Sequence, residues 1–259
     1  MKFRITVYVI LMSIILMIPT FNNDALAANL SDGLVGYWPL DDSGSDQSGY
    51  GNNATIKGGA KWVKDGWIGG ALEVDGISGH AVVDRNFTLM TDKITVIARI
   101  KGWKTVDWAG VVIGRNDPST FGLGFNHQDT VMYIWNNNSI DTWFWHGAPR
   151  IPKDEWVLMA IVIQPEKATS YIYHKENGKF EFADNKRPHI QQTVLNLKFG
   201  WDECCGGNRY FRGLIDEVMI FERALSMGEI RKLSNTALPI DSKSKITVKW
   251  ASLKSSSSR

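Results

Sequence analysis

Cysteine is nearly absent from this sequence, and the two that occur, Cys204 and Cys205, are neighbours. That excludes a scaffold of disulfides between distant strands, and two cysteines cannot by themselves make a zinc site. In an oxidising compartment the pair has three outcomes open: a bond to each other, a bond to another chain, or free thiols. Histidine is also scarce, and His80, His127, His146, His174 and His189 show no His-Glu-x-x-His spacing. No Gly-x-Ser-x-Gly elbow or phosphate-binding loop occurs. No repeat of fixed period is visible, which removes propellers and solenoids. A strong charge of one sign is missing too, the formal net charge being +2. The cationic surplus falls mainly beyond Pro239, where Lys243, Lys245, Lys249, Lys254 and Arg259 face only Asp241. The body before it is slightly acidic, which is not the footprint of a nucleic-acid-binding domain.

Long apolar runs are confined to the start of the chain. Lys2 and Arg4 precede Ile5–Phe21, and Ala25-Leu26-Ala27 supplies a small-x-small cleavage pattern. The apolar part stops at Pro19, about 14 residues where about 20 are needed to span a bilayer. Residues 1–27 therefore read as an export signal, with the mature chain starting at Ala28 and no membrane-spanning segment after its removal. A secreted, periplasmic or cell-surface location follows from that reading. Residues 28–238 form one folding unit, and 239–259 a basic Ser/Lys-rich tail, solvated or in contact with anionic polymers.

What the body does have is β-type sequence. About thirteen short apolar or alternating runs, such as Ala71–Asp75, Val131–Trp135 and Trp156–Gln164, are separated by Gly, Asn, Asp and Ser. Asn177-Gly178 marks a hairpin turn. The one convincing helix starts at a capping box, Ser226-Met227-Gly228-Glu229. Many strands and almost no helix predict an all-β, two-sheet antiparallel sandwich.

Three stretches carry a resemblance. They are Gly36-Tyr-Trp-Pro-Leu-Asp-Asp42, Gly69-Gly-Ala-Leu-Glu-Val-Asp-Gly76, and Phe211-Arg-Gly-Leu-Ile-Asp-Glu-Val-Met-Ile-Phe-Glu-Arg-Ala-Leu-Ser226. Taken in order they resemble the laminin-G-like jelly roll of the concanavalin A-like lectin/glucanase superfamily, over about residues 33–235. The resemblance implies a jelly roll with one short C-terminal helix. It also implies a structural calcium between the opening segment and the closing strand. Carried to this sequence, the ligands are Asp216 with Asp41 or Asp42, plus carbonyls around Asp75 and Gly76. In a regular strand Asp216 would share a face with Leu214, Val218 and Ile220. A carboxylate among such neighbours needs hydrogen bonds, a cation or a raised pKa, so capping of loop N–H groups without metal stays open.

The superfamily's glucanases use Glu-x-Asp-x-x-Glu. The nearest match is Glu73-Val-Asp75, with Ser78 where the second glutamate belongs. Tryptophan, by contrast, is abundant at eleven residues. Trp143 and Trp145 share one strand face, Tyr133 and Trp135 another, with Asn136–Asn138 and Asp107 nearby; such surfaces suit sugar rings. Trp108, Trp145 and Trp201 lie closest to loop sequence and are the ligand-binding candidates. The expectation is an exported, non-catalytic module that binds a glycan or an extracellular protein. Its rivals are a structural or adhesion component anchored by the basic tail, and a glycoside hydrolase or lyase with an atypical acid pair about 5–10 Å apart in a cleft.

Overall fold

The computed structural model describes residues 30–83, 86–116, 119–136, 141–236 without 145–147, and 238, with backbone only for 141–144. The expected export signal, the basic tail, Trp145, His146, Asn137 and Asn138 lie outside the described residues.

Among the described residues, eighteen strands and one helix follow in chain order. The opening set is β1 (Leu34–Trp38), β2 (Ala54–Lys57), β3 (Lys61–Val63), β4 (Ala71–Asp75), β5 (His80–Val83) and β6 (Thr88–Thr91). Then come β7 (Ile94–Lys104), β8 (Gly110–Asn116), β9 (Ser119–Phe125), β10 (Val131–Asn136), β11 (Asp141–Phe144) and β12 (Val157–Gln164). The last are β13 (Lys167–His174), β14 (Phe180–Asn185), β15 (Gln192–Leu195), β16 (Leu197–Phe199), β17 (Trp201–Asp202), β18 (Arg209–Phe221) and the helix α1 (Met227–Asn235).

They form two antiparallel layers, a jelly-roll sandwich. In the first, β7 lies between β18 and β12, and β12 leads through β13 to β14. The other edge of β18 takes β4 along Arg212–Ile215 and β1 along Val218–Phe221. The second layer runs β2-β5-β16-β8-β9-β10-β11. A single parallel bridge, Tyr210 to Gly110, joins the layers, and β6 pairs with β15 at the side.

The period-2 pattern explains the core. Val96, Ala98 and Ile100 of β7 and Met159, Ile161 and Ile163 of β12 point inward, against Phe121, Leu123 and Phe125 of β9 and Tyr133 and Trp135 of β10. Each large side chain so buried contributes roughly 1.5–3 kcal/mol. The indole N–H groups stay satisfied: Trp38 donates to the Asn52 carbonyl at 2.7 Å and Trp135 to that of Ile190 at 2.8 Å. Tyr133 and Trp135, expected as one of the aromatic surfaces for sugars, are therefore core residues. β12 reads as an unbroken apolar run because it is buried twice. Its other face, Leu158, Ala160 and Val162, packs beneath Ile230 and Leu233 of α1. The capping box forms, with Ser226 N donating to Glu229 and Glu229 N to the Ser226 hydroxyl.

Regular alternation fails at the end of β18, where the register shifts between Asp216 and Met219 and Glu217 takes a φ of 51°. The bulge puts Ile215, Val218 and Ile220 together in the core, whereas strict alternation grouped Val218 and Ile220 with Asp216. Both acids are left beside Arg99 of β7. Arg99 donates to the Leu233 and Thr236 carbonyls at 2.8 Å, holding the open end of α1. Tyr37 donates to Glu217 at 3.0 Å. No helix among the described residues is long and apolar enough to cross a membrane.

Candidate functional site

The carboxylates expected to share a calcium ion, Asp216 with Asp41 or Asp42, differ in their surroundings. Asp216 is fully buried, and its Oδ2 accepts the Trp67 and Ile68 N–H groups at 2.8 and 3.1 Å. Asp41 is exposed, and its Oδ1 accepts the Gly70 N–H at 2.7 Å; Asp42 is exposed as well. Among the described residues no three of His, Cys, Asp and Glu converge as metal ligands. Asp216 Oδ1 has no hydrogen-bond partner, and the charges beside it are the Glu217 carboxylate and the Arg99 guanidinium. Turn 66–70 uses the acids as acceptors, so Asp216 and Asp41 each spend one oxygen on its N–H groups. Burial pushes Asp216 up to about 7, against the opposing pull of Ile68 N–H and Arg99. Asp75, the acid whose neighbouring carbonyls were to complete the set, caps its own turn instead. The N–H groups of Ser78 and Ile77, and after them Gly79, hold its carboxyl down to about 2.

The other end of β18 builds a different arrangement. β17 pairs Trp201 with Tyr210 and Asp202 with Arg209, making a two-stranded ribbon whose tip is Glu203–Asn208. Cys204 and Cys205 are bonded to each other at that tip. The turn needs left-handed backbone at Cys205, Gly206 and Gly207, which the two glycines adopt without penalty. The Trp201 indole N–H donates to the Gly207 carbonyl at 2.8 Å, folding the tip back on its own strand. With the bond in place, thiol titration of the denatured, unreduced protein should find no free thiol and reduction should release two. One or two thiols before reduction would leave the tip open.

One side of the ribbon is aromatic. Trp201 and Tyr210 stack with centroids 5.5 Å apart and planes within 7°. His80 approaches Trp201 to 4.6 Å, and the Lys198 ammonium lies 5.5 Å from the indole centroid. All four are half-buried. His80 Nδ1 faces the Ser78 carbonyl at 2.8 Å; a carbonyl only accepts, so that nitrogen carries the proton. The Thr105 hydroxyl donates to the Tyr210 carbonyl at 2.7 Å, and Gly76 (φ 76°) packs so closely on Thr105 and Arg212 that a Cβ would collide. Loops 76–79, 105–108 and 203–208 thus meet around Tyr210.

The opposite side carries charge. Asp202 is fully buried; it accepts from Nε and Nη2 of Arg115, from Nη1 of Arg209 at 3.3 Å, and from Cys204 N at 3.1 Å. Only glycine fits at 110, where a Cβ would stand 3.0 Å from that of Asp202 and 2.4 Å from Ile113. Beyond it Ile113, Met132 and Ile134 form a small buried cluster with Trp108 packed against it. Trp108 adopts a φ of 71° and sits 5.4 Å from His127.

Two of the three expected ligand residues, Trp108 and Trp201, therefore lie at one end of the sandwich, on either side of the Tyr210–Gly110 bridge. Sequence reading missed Arg115, Arg209, Asp202, Tyr210 and His80. The available signal was Trp201-Asp202 facing Arg209-Tyr210 across a short Cys-Cys-Gly-Gly turn, a hairpin with complementary pairs. A separate groove of about 630 Å³ opens between Trp103, Arg150, Lys153 and Phe182. Its carboxylates are already paired, Glu181 with His174 and Lys179, and Asp129 with Lys104. No stacked ring pair lines that groove, so the ribbon is the better candidate.

The comparisons agree with this architecture. The family model of the concanavalin A-like lectin/glucanases superfamily matches residues 75–231. The chain is similar in structure to domain 4 of AbnA, a GH43 extracellular arabinanase from Geobacillus stearothermophilus, solved in complex with arabinotriose. That match has a TM-score of 0.60 and 21% identity over 78% of this chain and 98% of the other. It is also similar to a Trypanosoma rangeli sialidase mutant displaying trans-sialidase activity (TM-score 0.55, 15% identity, 81% of this chain and 34% of that one). A third likeness is to botulinum neurotoxin type C, from a study of its cell entry through two ganglioside molecules (TM-score 0.56, 13% identity, 82% and 53%). No curated protein sequence matches. With more than half its length under one family model, the chain belongs to the concanavalin A-like lectin/glucanases superfamily.

Proposed function

We propose that this chain is an exported, non-catalytic carbohydrate-binding module whose ligand packs against the Trp201–Tyr210 ribbon. The carrying observation is the half-buried, near-parallel Trp201–Tyr210 pair, fixed by the Trp201–Gly207 hydrogen bond and the disulfide tip. A rigid aromatic surface receives the C–H face of a sugar with little loss of ordering entropy. His80 and Lys198 beside it supply hydrogen-bonding groups for hydroxyls. The arabinotriose complex of the arabinanase domain supports a carbohydrate reading by analogy only. Export rests on the leader-like residues 1–27 and agrees with the bonded cysteines, since such bonds persist in oxidising compartments.

Two observations favour binding over hydrolysis. Glu73, the first acid of the glucanase-like match, is paired with Lys61 at 3.3 Å, and Asp75 is consumed by its turn. Asp216 and Glu217 are buried beside Arg99, which α1 covers, instead of flanking an open cleft. A glycan array should therefore show retention without turnover, and Trp201→Ala should weaken the best ligand at least tenfold, as loss of a central aromatic contact does. Unchanged affinity in a variant that keeps its far-ultraviolet spectrum would remove the ribbon from the site. An array blank with and without calcium would remove the glycan reading.

A further inference from the structure

We infer that the charged side of the ribbon, around Arg115 and Arg209, is a subsite for an acidic sugar, one bearing a carboxylate or a sulfate. This rests on the carbohydrate reading and names the class of ligand. The juxtaposition that carries it is two guanidinium groups, Arg115 and Arg209, gathered on the single buried carboxylate of Asp202.

One carboxylate neutralises one of the two arginines and leaves the other charge in excess. Both side chains still reach water, at 17% and 21% exposure, while Asp202 is at 0%. The buried acid therefore works as a brace. It fixes both guanidinium planes through Nε and Nη2 of Arg115 and Nη1 of Arg209. A guanidinium has five donors in a rigid fork, so donors remain for a second anion. Of the neighbouring charges, Lys198 is paired with Glu203 at 2.6 Å, and the ionised Asp75 belongs to the turn on the aromatic side of the ribbon.

Asp202 and Arg209 lie on the opposite side of the ribbon from Trp201 and Tyr210, so the acidic residue sits at least one sugar along from the stacked one.

The test compares probes that differ only in charge. Titration calorimetry of the full chain with oligogalacturonate and with its methyl ester isolates the carboxylate, and dextran sulfate against dextran isolates the sulfate. Wild type is expected to bind one acidic probe at least tenfold more tightly than its neutral twin, a preference that weakens as salt rises. In Arg209→Gln that ratio should fall towards one. Equal binding of charged and neutral probes by wild type overturns the subsite and leaves the carbohydrate reading standing; this arm needs no variant to fold. A preference that survives Arg209→Gln and Arg115→Gln places the anion elsewhere and overturns the assignment. Failure to bind these probes or any array glycan removes the carbohydrate reading itself.

Discussion

Replacing Asp202 with alanine is expected to lower the unfolding midpoint by about 10 °C. The carboxylate is fully buried and accepts from two arginines and from Cys204 N. Removing one partner of a buried ion pair leaves uncompensated charge and costs about 3–5 kcal/mol. Because both arginines reach water, the lower end of that range applies, and for a domain of this size each kcal/mol moves the midpoint by roughly 2–4 °C. Asp202→Asn keeps an acceptor but loses the charge, and should fall between the variant and wild type. Calorimetry showing Asp202→Ala within a degree of wild type would mean that the two guanidinium groups do not depend on this acid, and the brace described for the anion subsite would go with it.

The second large effect concerns pH. The stability advantage of Asp216→Asn over wild type is expected to grow from pH 5 to pH 8, reaching about 2–4 kcal/mol. Burial raises the Asp216 carboxyl to about 7, whereas an unfolded aspartate titrates near about 4. Between these values the folded chain holds a proton that the unfolded chain has released, so stability is lost as pH rises. Burial also raises Glu217, which adds a loss of the same sign. His189 acts in the other direction. Burial lowers it to about 4, so it contributes stability that grows as pH rises towards about 6.5. A wild-type curve mixes these groups; the difference between wild type and Asp216→Asn isolates one. The asparagine oxygen can keep the Trp67 and Ile68 N–H bonds, and its amide replaces the unpartnered Oδ1. Denaturant titrations at pH 5, 6, 7 and 8 provide the measurement. A destabilised Asp216→Asn, together with wild type that loses stability to a chelator, would instead put a cation at this acid.

Much of the architecture was legible before any coordinates, for reasons visible in particular segments. Strands buried on one or both faces announce themselves: β7, β10 and β12 are apolar because packing demands it. The Asn177-Gly178 hairpin and the Ser226–Glu229 capping box are local chemistry and need no tertiary context. The strands that escaped notice are β6 and β15, whose polar edges carry little periodicity. The bulge at Glu217 was also illegible, since period-2 reasoning assumes an unbroken register and nothing in Ile-Asp-Glu-Val breaks it. Of the candidate site, the loop-adjacent tryptophans Trp108 and Trp201 were found because aromatic residues next to glycine-rich turns stand out. Arg115, Asp202 and Arg209 were missed because their meaning lies in a contact between β8 and the ribbon, 87 residues apart in the chain. Charge in a sequence shows only the sum; which acid braces which base is a property of the fold.

Strand β18 has a consequence for how the molecule is made. It touches β1, β4, β7, β8 and β17, and its partner β1 lies at the opposite end of the folded body. Until Phe221 has been synthesised, β1 has no neighbour on its hydrogen-bonding edge and β7 lacks one flank. Growth from the amino end therefore yields separate hairpins, and the two layers lock only when the final ladder forms, late and between residues distant in sequence. A chain with that assembly order stays threadable for most of its synthesis, and the acidic-sugar subsite comes into being only in its last step.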